Sequence, residues 1–443
     1  MANYRDIFGT SFDCPCGRRH QIEPREVVYG DDAIGRLGEV CRRAVSIRQG
    51  GGNRVAVLMD RRTQQAAGAA AVEALNRGGW TVREILVPDR ARGGSPVCDD
   101  ATKDTLSEML GQVDLAVPVG SGVVNDLGKW LAYERGMPFV PFATAASMTG
   151  YTSANVAPTL RGIKSLLRAA PPPAVLSAPA VLRDAPYELT TAGLGDMLAR
   201  PVSSADWRLN HLLFGDYYCP RAVSLVAEVE PLYIRHPEDL KARKPQAIEG
   251  LFAALLLTGV SMTMAGSSAP ASGGEHMISH SLDMMSDTDG VAHDLHGRQV
   301  GVGSVLCAEL YRRVLATELP QWTQPPGGID SAFWGKLAEP VAQEYAQKVP
   351  RLRHAAEALA QGGAWDRFRE QLSSLIPPPQ SLRACLTAAG AARSAEDLGC
   401  SKARLLEAFV HAGQIRSRFT ILDLAAMLGL MPALAGGIVE EWA

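Results

Sequence analysis

The chain has little of what marks several broad classes of protein. Its 44 basic and 47 acidic side chains leave a formal net charge of −3 over 443 residues. The electrostatic footprint of a nucleic-acid or anionic-membrane binder is therefore missing. No apolar run reaches the roughly 18 to 20 residues needed to cross a bilayer, and the polar start MANYRDIFGTSFD does not read as a secretory signal. Eight cysteines, irregularly placed at 14, 16, 41, 98, 219, 307, 385 and 400, do not form a disulfide framework. There is no internal repeat and no long low-complexity tract. With 47% hydrophobic and 21% charged residues, the profile is that of an ordinary soluble globular chain with core enough for two or three domains. The expected setting is cytoplasmic and reducing, without nucleic acid or membrane insertion, and the expected assembly is a homodimer.

What is present divides near residue 178. Before it, short apolar runs alternate with helical stretches: RVAVLMD at 54–60, an Ala-rich helix at 63–77, WTVREILVP at 80–88, DLAVPVG at 114–120 followed by a helix through Tyr133, and MPFVPFAT at 137–144. Strands separated by helices predict a parallel sheet with right-handed crossovers. The segment PPPAVLSAPAVL at 171–182 reads as a last strand and a hinge. Beyond it the pattern is helical, with Ala and Leu at three- and four-residue spacing and breaks at 324–328 and 377–379. The expected architecture is thus an α/β nucleotide-binding domain over 1–178, then an all-α metal- and substrate-binding domain over 179–443, with the active site in the cleft between them.

In the first half, Asp60 closes a strand, where a carboxylate can accept hydrogen bonds from a ribose diol or equally cap the next helix. The turn Gly120-Ser121-Gly122 lies between an apolar run and a helix that begins Val123, Val124, Asn125, Asp126. Glycine there lets backbone approach a pyrophosphate, and a helix N-terminus favours its charge. The third glycine of G-x-G-x-x-G is absent, since Asn125 stands in its place. The loop ATAASMTGYTS at 143–153 is small, polar and nearly uncharged. It suits a nicotinamide or ribose, or a plain surface connection.

In the second half, GLGDMLAR carries Asp196, SGGEHMISH carries His276 and His280, and DLHGRQVGVG carries His296. The two histidines four apart share one helix face. One carboxylate with two or three imidazoles is the donor set of an open divalent-metal site. A second cluster, CPCGRRH at 14–20, offers Cys14, Cys16 and His20. A closed zinc site needs four ligands and no fourth is evident nearby, so an N-terminal hairpin with ordinary thiols is the preferred reading there.

Taken together, CPCGRRH, GSGVVND, SMTGYTS, GLGD…SSADW, SGGEHMISH and LHGRQVGVG resemble the sn-glycerol-1-phosphate dehydrogenase family, in its bacterial branch that accompanies arabinose-utilisation genes. That family lies within the dehydroquinate synthase and iron-containing alcohol dehydrogenase superfamily. The similarity covers about the first 310 residues in order. It implies a dehydroquinate-synthase-like fold and NAD(P)-dependent reduction of dihydroxyacetone phosphate, a small phosphorylated substrate, with a divalent metal, zinc or nickel and possibly iron. Carried over position by position, it implies that Asp60, the run from Gly122 to Asp126, Thr144, Ala145, Ala146, Ser147 and Ser153 contact the cofactor. Asp196, His276 and His296 would hold the metal, His280 would touch substrate, and Asp196 would lie against both.

Two positions depart from the family pattern. Where it has Ser-Met-Asp-Gly-Tyr, this chain has Thr149, so a substrate-contacting carboxylate becomes a hydroxyl. Where His-Gly-Glu is usual, it has His296-Gly297-Arg298. Both changes make the pocket less negative and point to a more anionic or differently shaped substrate. The resemblance also admits a cyclising lyase of the dehydroquinate-synthase type, and the two departures admit a nucleotide-binding paralogue with impaired catalysis.

Overall fold

The computed structural model describes residues 4–47, 51–90, 94–292, 294–324 and 326–443, which leaves residue 325 of the 324–328 break outside. The chain forms two compact units: residues 1–193 with 224–266, and residues 194–223 with 267–443. A single cut after residue 178 is therefore replaced by three passages between units. The physical reason lies in the Pro245–Ala265 helix, which is apolar on nearly every side and belongs to the first unit. By length and composition this helix could cross a membrane (mean hydropathy 1.6), which corrects the reading that no apolar run is long enough; 89% of that window is buried in protein. Thr258, Ser261 and Thr263 interrupt the run in the sequence. Each satisfies its hydroxyl on the carbonyl four residues back, so the helix stays apolar outward.

The first unit is built on a six-stranded parallel sheet in the spatial order Glu26–Tyr29, Ala174–Ser177, Phe142–Ala143, Leu115–Gly120, Arg54–Met59, Thr81–Leu86. Every residue of LAVPVG is buried, as expected for a strand covered on both faces. Successive residues alternate between two cores: Val55, Val57, Val117 and Val119 on one face, Ala56, Leu58 and Ala116 on the other. The strand expected over 137–144 shrinks to Phe142–Ala143, with one bridge from Phe139 to Ala116. Pro138 and Pro141 have no N–H to give the ladder. The edge strand Glu26–Tyr29 is not apparent in the sequence, being four residues long and only partly buried.

The Arg54–Met59 and Leu115–Gly120 strands are neighbours, with Leu58 opposite Pro118. The chain leaves the first of them toward Thr81–Leu86 on one side, and leaves the second toward Phe142–Ala143 on the other. Their carboxyl ends, Asp60 and Gly120 to Gly122, thus flank a point where strand order reverses. Open parallel sheets bind ligands in such a crevice.

The second unit is helical among its described residues. Its principal members are Arg200–Phe214, Gly274–Asp289, His296–Leu315 and Ala338–Leu359. The C-terminal hundred residues complete this core through Lys348, which is fully buried and bonded to both Asp423 oxygens at 2.9 and 3.0 Å.

Candidate functional site

In the first unit, the 120–122 turn and the 144–147 loop come together, while Asp60 caps its own helix and Ser153 is bonded elsewhere. Gly120 is required by close approach, since a Cβ there would lie 2.5 Å from Val124 Cβ, whereas Gly122 has open space beside it. Ser121 precedes the Gly122–Glu134 helix but does not cap it; its hydroxyl pairs with that of Ser147 instead. Among the described residues, the first helical N–H groups therefore have no capping side-chain acceptor, which suits an anion. Thr144 N bonds Gly120 O at 3.2 Å, which brings the 144–147 loop against this turn. Asn125 is buried, donates to Asp126 Oδ1 at 3.0 Å and keeps its own Oδ1 without a hydrogen-bond partner among the described residues.

Asp60 is the N-cap of the following helix. It accepts from Arg62 N and Thr63 N, both at 2.8 Å, in a capping box with Thr63. Its second oxygen meets Arg62 Nε at 3.3 Å, and Arg62 also pairs with Asp89. Ser153 is fully buried, and its hydroxyl is bonded to Gly150 O, Asn155 O and Lys129 Nζ, each at 3.1 Å.

Lys129 is a residue that sequence reasoning missed. Its ammonium is completely buried and donates to the carbonyls of Gly150, Ser153 and Asn155, holding the 150–155 backbone from behind. Burial pushes this amine down to about 8, with Asp126 opposing the shift. The same turn is held from the other side, where Thr152 Oγ1 donates to Leu256 O at 2.6 Å. Thr149, half-buried, stands just ahead of this doubly held turn.

In the second unit, Asp196, His276 and His296 each offer a ligand atom, all within 4.8 Å of one another. Asp196 and His276 are buried and His296 is partly so. His280 lies alongside, its ring stacked 5.3 Å from His296 and 6.3 Å from His276. Glu275 Oε1 accepts from His276 Nδ1 at 2.9 Å, and Ser279 Oγ meets His296 Nδ1 at 2.8 Å and the Gln299 amide at 2.6 Å. These partners leave Nε2 of both rings to face the cluster, the usual support for metal-ligating histidines. The donor chemistry fits a divalent cation: imidazoles and one carboxylate in a buried setting. Burial, aided by Arg418, pushes His276 down to about 3, which keeps it neutral as a ligand must be.

Further back, Asp206 fixes the helix that carries His276 and His280. It is fully buried and accepts from Gly274 N and Ile421 N, both at 2.8 Å, and from Tyr311 Oη at 2.5 Å. Arg418 adds a bond to the Ser272 carbonyl and one of 3.0 Å to Ser268 Oγ. The 418–421 segment of the C-terminal region thus steadies the loop before the Gly274–Asp289 helix. Two glycines bring the ligand-bearing backbones together: a Cβ on Gly195 would lie 1.8 Å from Gly297 O, and one on Gly303 would lie 2.8 Å from Glu275 O. Arg298 does not point its charge at the cluster unopposed. It pairs with Asp294 at 2.8 Å and donates to Asp397 O at 2.6 Å, so the expected cationic change beside His296 is largely offset.

A parallel-sheet α/β unit with a glycine turn at its reversal point, and a helical unit with an Asp–His–His cluster, define the class. The profile of the iron-containing alcohol dehydrogenase family matches residues 28–186. Solved structures of similar fold include a probable glycerol dehydrogenase from Sinorhizobium meliloti (TM-score 0.59, 17% identity, 94% of this chain and 97% of that one). Another is the NADH-dependent butanol dehydrogenase A of Thermotoga maritima (TM-score 0.60, 16% identity, 99% of both). Among curated relatives, the glycerol-1-phosphate dehydrogenase [NAD(P)+] of Geobacillus stearothermophilus is 30% identical over 419 residues, 94% of this chain and 96% of that protein. That of Bacillus licheniformis is 28% identical over 427 residues, 96% and 94%. The chain belongs to the glycerol-1-phosphate dehydrogenase family, within the iron-containing alcohol dehydrogenases.

Proposed function

We propose that the protein is a metal-dependent, NAD(P)-linked dehydrogenase that interconverts dihydroxyacetone phosphate and sn-glycerol 1-phosphate, or a closely related phosphorylated or anionic ketone–alcohol pair. Beyond family membership, the observation that carries this reading is the donor set of buried Asp196 and His276 with half-buried His296, within 4.8 Å of one another.

In this reading those three residues hold one divalent ion, zinc or nickel with iron as the third candidate. When bound, the ion supplies Lewis-acid polarisation of the substrate oxygen. Glu275 and Ser279 orient the two ligand imidazoles through their Nδ1 atoms. His280 sits beside the cluster to contact substrate and to hold or move a proton at the carbinol oxygen. The uncapped start of the Gly122–Glu134 helix takes the cofactor pyrophosphate, and residues 144–147 face the nicotinamide ribose. Asp60 still has an oxygen that can meet a ribose diol. Arg62 is already engaged by Asp60 and Asp89, and a bare Asp60 carboxylate disfavours a 2′-phosphate, which favours NAD; the exposed Arg61 is the neighbouring guanidinium that would reverse this lean by pairing with that phosphate. Thr149 supplies a hydroxyl where the family uses a carboxylate, and this one observation favours a shifted substrate preference.

The test is NADH oxidation by chelator-stripped protein with dihydroxyacetone phosphate, before and after addition of zinc, nickel or iron. Metal-dependent oxidation supports the reading. Consumption of a phosphorylated substrate with no net change in NADH would instead identify a cyclising lyase. NADH binding without turnover of any phosphorylated ketone would identify a non-catalytic paralogue. Dissociation constants for NADH and NADPH decide the cofactor, and a clear NADPH preference would remove Asp60 from its assigned role.

A further inference from the structure

The CPCGRRH motif takes no part in the chemistry above, yet its geometry is that of a ligand turn. Strands Ser11–Asp13 and Arg19–Gln21 pair antiparallel, with Phe12 opposite His20. The connection is tight: Cys14 N bonds Arg18 O at 2.9 Å, and Gly17 N bonds Cys14 O at 3.0 Å, with Gly17 at φ +84°. Pro15 stands at the second position of this turn, where its fixed φ is at home. The fold of the turn throws the two thiols to one side, toward an imidazole. Cys16 Sγ lies 3.3 Å from His20 Nε2, and Cys14 Sγ lies within 4.8 Å of both. A tetrahedral zinc bound at ordinary Zn–S and Zn–N lengths separates such donors by about 3.6 to 3.8 Å. No cysteine of the chain is in a disulfide.

The hairpin also has reason to need a cross-link. Each strand has three residues, and of their side chains only that of His20 is buried, with Phe12 half-buried beside it at 5.6 Å. Two such strands bury too little apolar surface to hold their own geometry, and small elements of this kind are commonly fixed by a metal.

We propose that Cys14 Sγ, Cys16 Sγ and His20 Nε2 hold a zinc ion of their own, separate from the Asp196–His276–His296 cluster and structural in role. Binding releases the two thiol protons, so that a dication meets two thiolates and one neutral imidazole. A fourth donor from outside the hairpin, protein or water, completes the tetrahedron. Soft thiolates select zinc here, in contrast to the carboxylate and imidazoles of the other cluster.

Cobalt substitution of the full-length protein separates the two sites, because only thiolate ligation gives sulfur-to-cobalt charge-transfer absorption in the near ultraviolet. The band should appear in the wild-type protein and persist in His276→Ala, and it should vanish in Cys14→Ser and Cys16→Ser. Zinc content should fall by one equivalent per chain in those serine variants. A variant-free measurement guards against misfolding: alkylation of Cys14 and Cys16 in the native protein, read by mass spectrometry, should be blocked by zinc and restored by chelator. Absence of the cobalt band from the wild-type protein, or alkylation that ignores zinc and chelator alike, overturns the proposal. Failure of the dehydrogenase assay would leave all three readouts unaffected.

Discussion

Replacing Gly195 by alanine tests the proposed metal-cluster geometry most directly, because the two backbones it would push apart each carry a proposed ligand. The new Cβ would lie 1.8 Å from Gly297 O, and ordinary contact begins at 3.4 Å, so clearing it needs about 1.6 Å of separation. Asp196 is the next residue after Gly195, and His296 the residue before Gly297. Neither obstruction is a flexible side chain that can swing away. Metal and catalytic sites tolerate displacements of about 0.5 Å, and a misplacement near 1 Å can cost about a hundredfold in rate. We therefore expect Gly195→Ala to lower metal affinity and kcat/KM by about two orders of magnitude or more, with overpacking costing about 1 to 3 kcal/mol of stability. Gly301→Ala provides the graded control: its Cβ would meet Gly195 Cα and Leu386 Cδ2 at 3.2 Å, a mild crowding. Metal affinity is read by competition with a chromophoric chelator, turnover with saturating metal, and folding by thermal unfolding. Unchanged metal affinity and turnover in folded Gly195→Ala would refute the claim that these helices must touch to bring Asp196 and His296 together.

Asp196→Ala and His276→Ala should each abolish bound metal at this cluster, whereas His280→Ala should retain metal and lose turnover; elemental analysis beside kinetics decides both. Thr149→Asp should raise efficiency on dihydroxyacetone phosphate by roughly ten- to a hundredfold, the worth of a hydrogen bond to a charged group at about 1.5 to 3 kcal/mol. If the unaltered protein already matches its relatives on that substrate, the threonine is a neutral replacement. Burial, with Glu275 adding to it, raises Asp206 from 3.8 to about 7, and burial raises Glu275 from 4.5 to about 7. Between those values these two carboxyls hold protons that the unfolded state has lost, so, against a single-proton slope of opposite sign from the depressed His276 below 6.5, their contribution to stability falls as pH rises from about 4 through 7. Urea midpoints in the presence of chelator should show that slope, and Asp206→Asn should remove the Asp206 share of it; an unchanged slope counts against a raised Asp206.

The parallel sheet was legible because its central strands are continuous apolar runs, and the glycine turn because it stands between such a run and a helix. That His276 and His280 share one helix face was legible from their spacing, whereas the roles assigned to them came from the resemblance. What escaped was the support behind them. Lys129 lies within a helix whose pattern gives no sign that the position faces inward, and a lysine there reads as solvated. Asp206 sits in the middle of Arg200–Phe214, and only the fold brings Gly274, Tyr311 and Ile421 to it. Asp60 was readable as either a ribose contact or a cap, and the structure places it as a cap without excluding the other use. The discontinuous units were hidden because membership depends on which surface buries Pro245–Ala265, a tertiary property that no local pattern encodes.

The Lys129 anchor bears on what position 149 can tolerate. Besides the Ser153 hydroxyl, it bonds the main-chain carbonyls of residues 150, 153 and 155, and among the described residues it makes no bond to the side chain at 149. The course of the loop is thus set largely through its main chain, by a group that makes no bond to the side chain at 149. A residue at position 149 can be exchanged, carboxylate for hydroxyl, while the backbone that presents it keeps its path. If Thr149 meets substrate as proposed, a single substitution there would alter preference on a fixed frame, with no rebuilding of the loop.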